Sequence, residues 1–150
     1  MIEKLRESGD KAFGFKVSGK LTADELKAFE PQIEMAIADC GKRTIGILAD
    51  LSAAEGAEWA ARWEELRFLS KFADHIERIA VVGARPWEDL KAEILAGTVL
   101  VRAETRYYPS PKILHAWHWV KTGDAGQAPG VRIVPKEGLM KGYVPEYDEV

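Results

Sequence analysis

Cysteine is almost missing from this chain. Cys40 is the only one in 150 residues, so no internal disulfide and no cysteine-based zinc site can form. Its position at the end of a helical pattern reads as a packed thiol rather than a redox group. Long apolar runs are missing too. No stretch approaches the ~18 residues that a membrane-spanning helix needs. The opening MIEKLRESGDK is charged from Glu3 onward and lacks the apolar centre of a secretory leader. The expected address is the cytoplasm, with attachment at the periphery of a membrane left open. There is no basic excess: net charge is −3, and no Lys/Arg cluster tracks a phosphate backbone, so no nucleic-acid partner is expected. The sequence holds no HExxH, no P-loop and no Ser-His-Asp context. GARPWED follows a strand-like run but lacks the further glycines and the Lys-Ser/Thr pair of a nucleotide site. The chain therefore reads as a non-enzyme, with no cofactor and no metal called for.

What is present is an ordinary globular composition, 47% apolar and 30% charged, which suits one domain with a real core. FGFKVSGKL (13–21) alternates Phe13, Phe15 and Val17 with Gly14, Lys16 and Ser18, the period of a half-buried strand. MIEKL before it can pair as a hairpin across RESGDK. Thr22 and Glu25 make a capping box that starts a helix at Ala23. Leu26, Phe29, Ile33, Ile37 and Cys40 form its apolar stripe, Gly41 stops it, and Pro31 inside it should bend it.

RTIGILADL (43–51) has the length and apolarity of a central strand. A helix is expected from about Glu58 to Phe72, a second buried strand at RIAVVGA (78–84), and a helix opened by Pro86. AETRYYP (103–109) reads as a further strand. SPKILHAWHWVKTG (110–123) then gives a helix with Ser110 as cap, Pro111 first and Gly123 as stop. The order predicts an α/β fold: a mixed, mostly parallel five-stranded sheet with covering helices, over residues 1–123. Residues 124–150 form a Gly/Pro-rich C-terminal extension with one strand-like run at Val131–Val134, placed either across its own domain or on a second subunit.

Together, FGFKVSGKLTADE, the proline-containing helix, IGILADL, ERIAVVGARPWED and AETRYYP resemble the bacterial SpoIIAA-like family over roughly residues 1–122. The resemblance implies the architecture shared by STAS domains, the anti-sigma factor antagonists, and by CRAL-TRIO lipid-transfer domains. It implies uses in partner binding, hydrophobic-ligand binding and membrane association. In the antagonists, the junction between the central strand and the next helix carries a serine whose phosphorylation switches partner binding. Here that junction reads Glu55, Gly56, Ala57 and Glu58, none of which can be phosphorylated, and both carboxylates would repel a phosphate. Ser52, the nearest hydroxyl, lies too early and reads as a loop or cap residue, so no phosphorylation site is expected. Asp50, at the end of a strand, is either a catalytic or metal-ligating carboxylate or a cap for loop amides. With no partner at matched spacing, the cap is the expectation.

His115 and His118 share one helix opposite Ile113, Trp117 and Val120, and should face water without a third metal ligand. His75 sits near a helix end, where a cation is favourable. The five tryptophans all fall on the later helices. Trp59, Trp63, Leu66 and Leu69 share one helix face, while Phe68 and Phe72 gather on the other side of the same helix. Trp87, Leu90 and Ile94 form a stripe on the next helix, with Leu95 beside it, and Trp119 lies off the stripe of the last helix.

Either these aromatics pack under the extension or in a homodimer, or they gate a ligand or touch a membrane. The leading expectation is a non-catalytic domain that binds a hydrophobic small molecule, a lipid or a membrane surface through Trp59, Trp63, Phe68, Phe72, Trp87, Ile94 and Leu95. The alternative is a regulatory protein–protein interaction module without the phosphorylatable serine.

Overall fold

In the computed structural model of the chain, the structure describes residues 1–9, 11–20, 22–39, 44–54, 75–84, 103–124, 126, 130–134 and 146–149. The helices expected over about 58–73 and 86–100 lie outside the described residues. The chain begins with strand β1 (Ile2–Lys4), which folds back antiparallel on β2 (Ala12–Gly19), Ile2 opposite Val17. The turn is tied by Ser8, whose Oγ accepts the Gly14 N–H at 2.9 Å.

Helix α1 (Ala23–Asp39) starts at the expected capping box. The Glu25 N–H donates to Thr22 Oγ1 at 3.1 Å, and the Thr22 N–H donates back to Glu25 Oε1 at 3.3 Å. The Met1 amino group, 2.9 Å from Glu25, and the Thr22 bonds hold the Glu25 carboxyl below its ordinary range. Leu26, Phe29, Ile33 and Ile37 are all buried, so the stripe read from spacing is the face α1 lays on the sheet. Pro31 sits on the exposed side, and the helix runs through it without a break.

Strands β3 (Ile45–Ala54), β4 (Ile76–Gly83) and β5 (Glu104–Pro109) follow, each parallel to its predecessor from β2 onward. Four parallel strands thus make the middle of the sheet. Residues Ser110–Lys112 form a single 3-10 turn before helix α2 (Ile113–Thr122), so Ser110 does not cap the α-helix as expected. Such 3-10 turns are frequent at the start of α-helices, and here the α-helix begins two residues after Pro111. Gly123 ends it in the left-handed region at φ 79°.

Among the described residues the sheet has seven strands in the order β1-β2-β3-β4-β5-β6-β7, not five. The two additional ones come from the C-terminal extension: β6 (Val131–Val134) pairs antiparallel with β5, and β7 (Glu146–Glu149) pairs antiparallel with β6. The first is the strand-like run at Val131–Val134, whereas EYDE is too short and too polar to announce a strand alone. Pairing with an existing strand edge supplies the hydrogen bonds that periodicity cannot display.

The sheet buries both faces. On one, α1 packs over Phe13, Phe15 and Val17 of β2 and Ile45, Ile47, Ala49 and Leu51 of β3, with Val81 and Tyr107 further along. On the other, α2 packs over Ala12, Leu48, Ala80, Val82 and Tyr108. The close approach of α2 depends on two glycines. A Cβ on Gly14 would enter the Trp117 ring, and one on Gly46 would strike the Val120 carbonyl.

Candidate functional site

Because β2–β5 are parallel, their carboxyl ends share one edge of the sheet, the edge where open α/β sheets place their ligands. β3 reaches this edge through a bulge. Lys16 of β2 faces Asp50, yet Ser18 faces Ala53, so β3 spends one more residue than β2 over the same distance. The extra residue takes a backbone N–H out of the ladder, and Asp50 answers it. Its Oδ1 accepts the Ser52 N–H at 3.0 Å and the Ser52 hydroxyl at 2.6 Å.

Asp50 is only 5% exposed, and this local pairing is the capping role expected of it. It lies within β3, not at the strand's end as the sequence implied, because the bulge carries the strand on to Ala54. The Ser52 hydroxyl is thereby committed to a carboxylate. A phosphate on that oxygen would set two negative groups against each other.

From this edge the chain leaves twice toward the aromatic segments. Residues 55–74 join the end of β3 to β4, and residues 85–102 join the end of β4 to β5. β3 and β4 are neighbours, with Asp50 opposite Val82, so both segments depart from adjacent strand ends. Trp59, Trp63, Phe68, Phe72, Trp87, Ile94 and Leu95 all belong to them and lie outside the described residues, as do Cys40, Glu55 and Glu58.

The second face is better defined. His115 and His118 are exposed on α2, as expected. His118 Nε2 lies 3.5 Å from Asp124 Oδ2. The Gly126 N–H, at 2.9 Å from Oδ1, is the main cause that lowers the Asp124 carboxyl below its ordinary value, with His118 second. Among the described residues no group of three His, Cys, Asp or Glu side chains could hold a metal ion. His75 is half-buried just ahead of β4.

Trp119 departs most from expectation. It is buried to 1% exposure, with its ring 6.3 Å from that of Tyr108 and the Arg106 guanidinium 5.1 Å from its centroid. Arg106 is also held by Glu104 at 3.1 Å, and Glu104 lies 3.5 Å from Arg132 of β6. This charged row across β5 and β6 escaped the sequence reading. The only signal for it was the alternation of charge in ETRYY and VRIV.

The topology, with a parallel centre and helices on both faces, can be set beside known proteins. The family model for SpoIIAA-like proteins matches residues 12–121, from the start of β2 almost to the end of α2. This chain belongs to the SpoIIAA-like family. A solved structure similar to this SpoIIAA-like chain is an uncharacterized protein of the DUF3478 family with a SpoIIAA-like fold, from Shewanella loihica PV-4. It is 24% identical, and the match covers 80% of this chain and 92% of that one with a TM-score of 0.58. No curated protein matches the chain. The SpoIIAA-like fold is consistent with a non-catalytic binding or regulatory domain. Among the described residues no helix is long and apolar enough to cross a membrane. The extension that supplies β6 and β7 lies beyond the part of the chain that the family model matches.

Proposed function

We propose that this SpoIIAA-like domain is a non-catalytic binding domain for an apolar ligand or a membrane surface, engaged through the segments around 58–73 and 86–100. The observation that carries this reading is the departure of both aromatic segments from adjacent carboxyl ends of parallel strands. Trp59 follows the end of β3 by five residues, and Trp87 follows the end of β4 by four. Both segments therefore set out from one end of the sheet. Each phenylalanine buried on contact would contribute roughly 2 kcal/mol, enough in pairs for reversible association and too little for anchoring.

Native mass spectrometry of the purified chain, followed by denaturing extraction, tests the reading. A co-purifying apolar mass is the expected result. In a vesicle-binding assay Phe68→Asp is expected to weaken association. An empty protein that leaves vesicles untouched, with or without Phe68→Asp, would sink the proposal.

The Asp50–Ser52 pairing favours one form of the alternative, a regulatory module whose partner does not depend on a phosphorylated serine. Under that reading a protein partner is retained in pull-downs by Ser52→Ala. Loss of the partner with that variant would exclude it.

A further inference from the structure

Two arginines face each other across β5 and β6. The register sets Arg106 opposite Arg132, Thr105 opposite Ile133 and Tyr107 opposite Val131. Like charges directly opposite in an antiparallel pair oppose pairing, and here Glu104 lies close to both guanidiniums. On the far side of β6, Asp148 of β7 stands opposite Arg132. By register and sequence, two arginines are thus matched by two acidic residues.

The same set arises if β5 pairs with β5 of another chain. Antiparallel pairing centred on Arg106 sets Arg106 opposite its own copy and Thr105 opposite Tyr107 of the second chain. Each Glu104 then stands on the diagonal to the other chain's Arg106, again two arginines with two carboxylates. Tyr107 of the second copy takes the place Ile133 holds, and Thr105 of the second copy takes the place of Val131.

We infer that β6 stands in, within the chain, for the β5 strand of a second copy, and that the β5 edge is a surface for pairing with that copy. Two further observations support a detachable cover. β6 and β7 lie past residue 121, where the family match ends, so β5 is the last strand of the shared fold. Entry into β6 also hangs on one residue: Gly130 adopts φ 70°, and a Cβ there would meet the Tyr107 carbonyl oxygen and the Tyr108 ring. A side chain at position 130 therefore opposes the docking of β6 without altering β5.

The test uses the full chain with Cys40→Ser, so that an engineered thiol is the only one. Arg106→Cys places that thiol on the centre of the two-fold pairing, within disulfide reach of its own copy. Under mild oxidation, adding Gly130→Val is expected to raise the disulfide-linked dimer several-fold over the chain with Gly130 intact. Thr105→Cys, which would face Tyr107 and not itself, is expected to link poorly in the same background. Ile133→Pro opens β6 by a second route, removing a backbone N–H from it.

Tryptophan fluorescence, to which the buried Trp117 and Trp119 contribute, reports whether the rest of the fold stands. With that signal native, absence of linkage in both opened chains, or equal linkage at 105 and 106, overturns the inference. Loss of the tryptophan signal in both opened chains also overturns it, because β6 would then belong to the core and could not be a cover.

Discussion

One carboxylate oxygen of Asp50 receives both the Ser52 amide and the Ser52 hydroxyl inside the β3 bulge. Asp50→Ala leaves that amide without its acceptor at a nearly buried position. The expected loss is about 1–3 kcal/mol, read as a lower urea midpoint at unchanged slope. Ser52→Ala removes only the hydroxyl donor and should cost less.

Tyr108 presents the opposite case, a buried hydroxyl with no hydrogen-bond partner among the described residues. Burial pushes its phenol from 10.0 up to about 12. Between those values the unfolded chain gives up the proton while the folded chain keeps it, so stability should fall as pH rises from 10 toward 12. Below pH 10 the group contributes its full share. Tyr108→Phe should flatten this alkaline decline and cost little at neutral pH, since the hydroxyl has no bond to lose among the described residues. Equilibrium unfolding of both proteins across the alkaline range checks the sign.

The helices show what spacing can and cannot convey. The stripe of α1 from Leu26 to Ile37 was legible because one narrow face meets one sheet and the other side meets water. Helix α2 is different. It buries Ala116, Trp117, Trp119 and Val120, an arc of roughly 160° at 100° per residue. Trp117 settles into the space left by Gly14, and Trp119 turns the other way onto Tyr108 and Arg106. A single-stripe reading assigns only the first to the core, because the second contact comes from a strand edge that no helical period encodes. Trp117→Ala should cost about 3–5 kcal/mol in chemical denaturation. Leu114→Ala, at a position 76% exposed, should stay within about 0.5 kcal/mol.

For the whole molecule, the parallel centre and the N-terminal hairpin followed from strand-length apolar runs alternating with helical patterns. β7 did not, because EYDE owes its strand to β6 rather than to its own composition. The capping part of Asp50 was legible from its isolation from other chemistry, whereas the bulge that calls for it depends on a mismatch between two strands. The amphipathic patterns expected over about 58–73 and 86–100 lie outside the described residues, and the shared departure of those segments from one edge appears only in the strand pairing. Hydrogen exchange should rank the strands by position in the sheet. Amides of β3 and β4 should exchange slowest, those of the edge strands β1 and β7 fastest, with β6 between. Uniform protection across all seven would contradict this.

The strict sequence of that strand order bears on how the chain comes into being. Every strand lies beside the one synthesised just before it. A chain growing from its N-terminus can extend its sheet one strand at a time, without holding an early strand open for a late partner. Only the α2 side must wait, since its helix is made after β5 and lies back over β3 and β4. Until then Leu48, Ala80 and Val82 lack the contacts that α2 brings them. Synthesis between residues 83 and 122 is therefore the interval in which a chaperone would have most to hold.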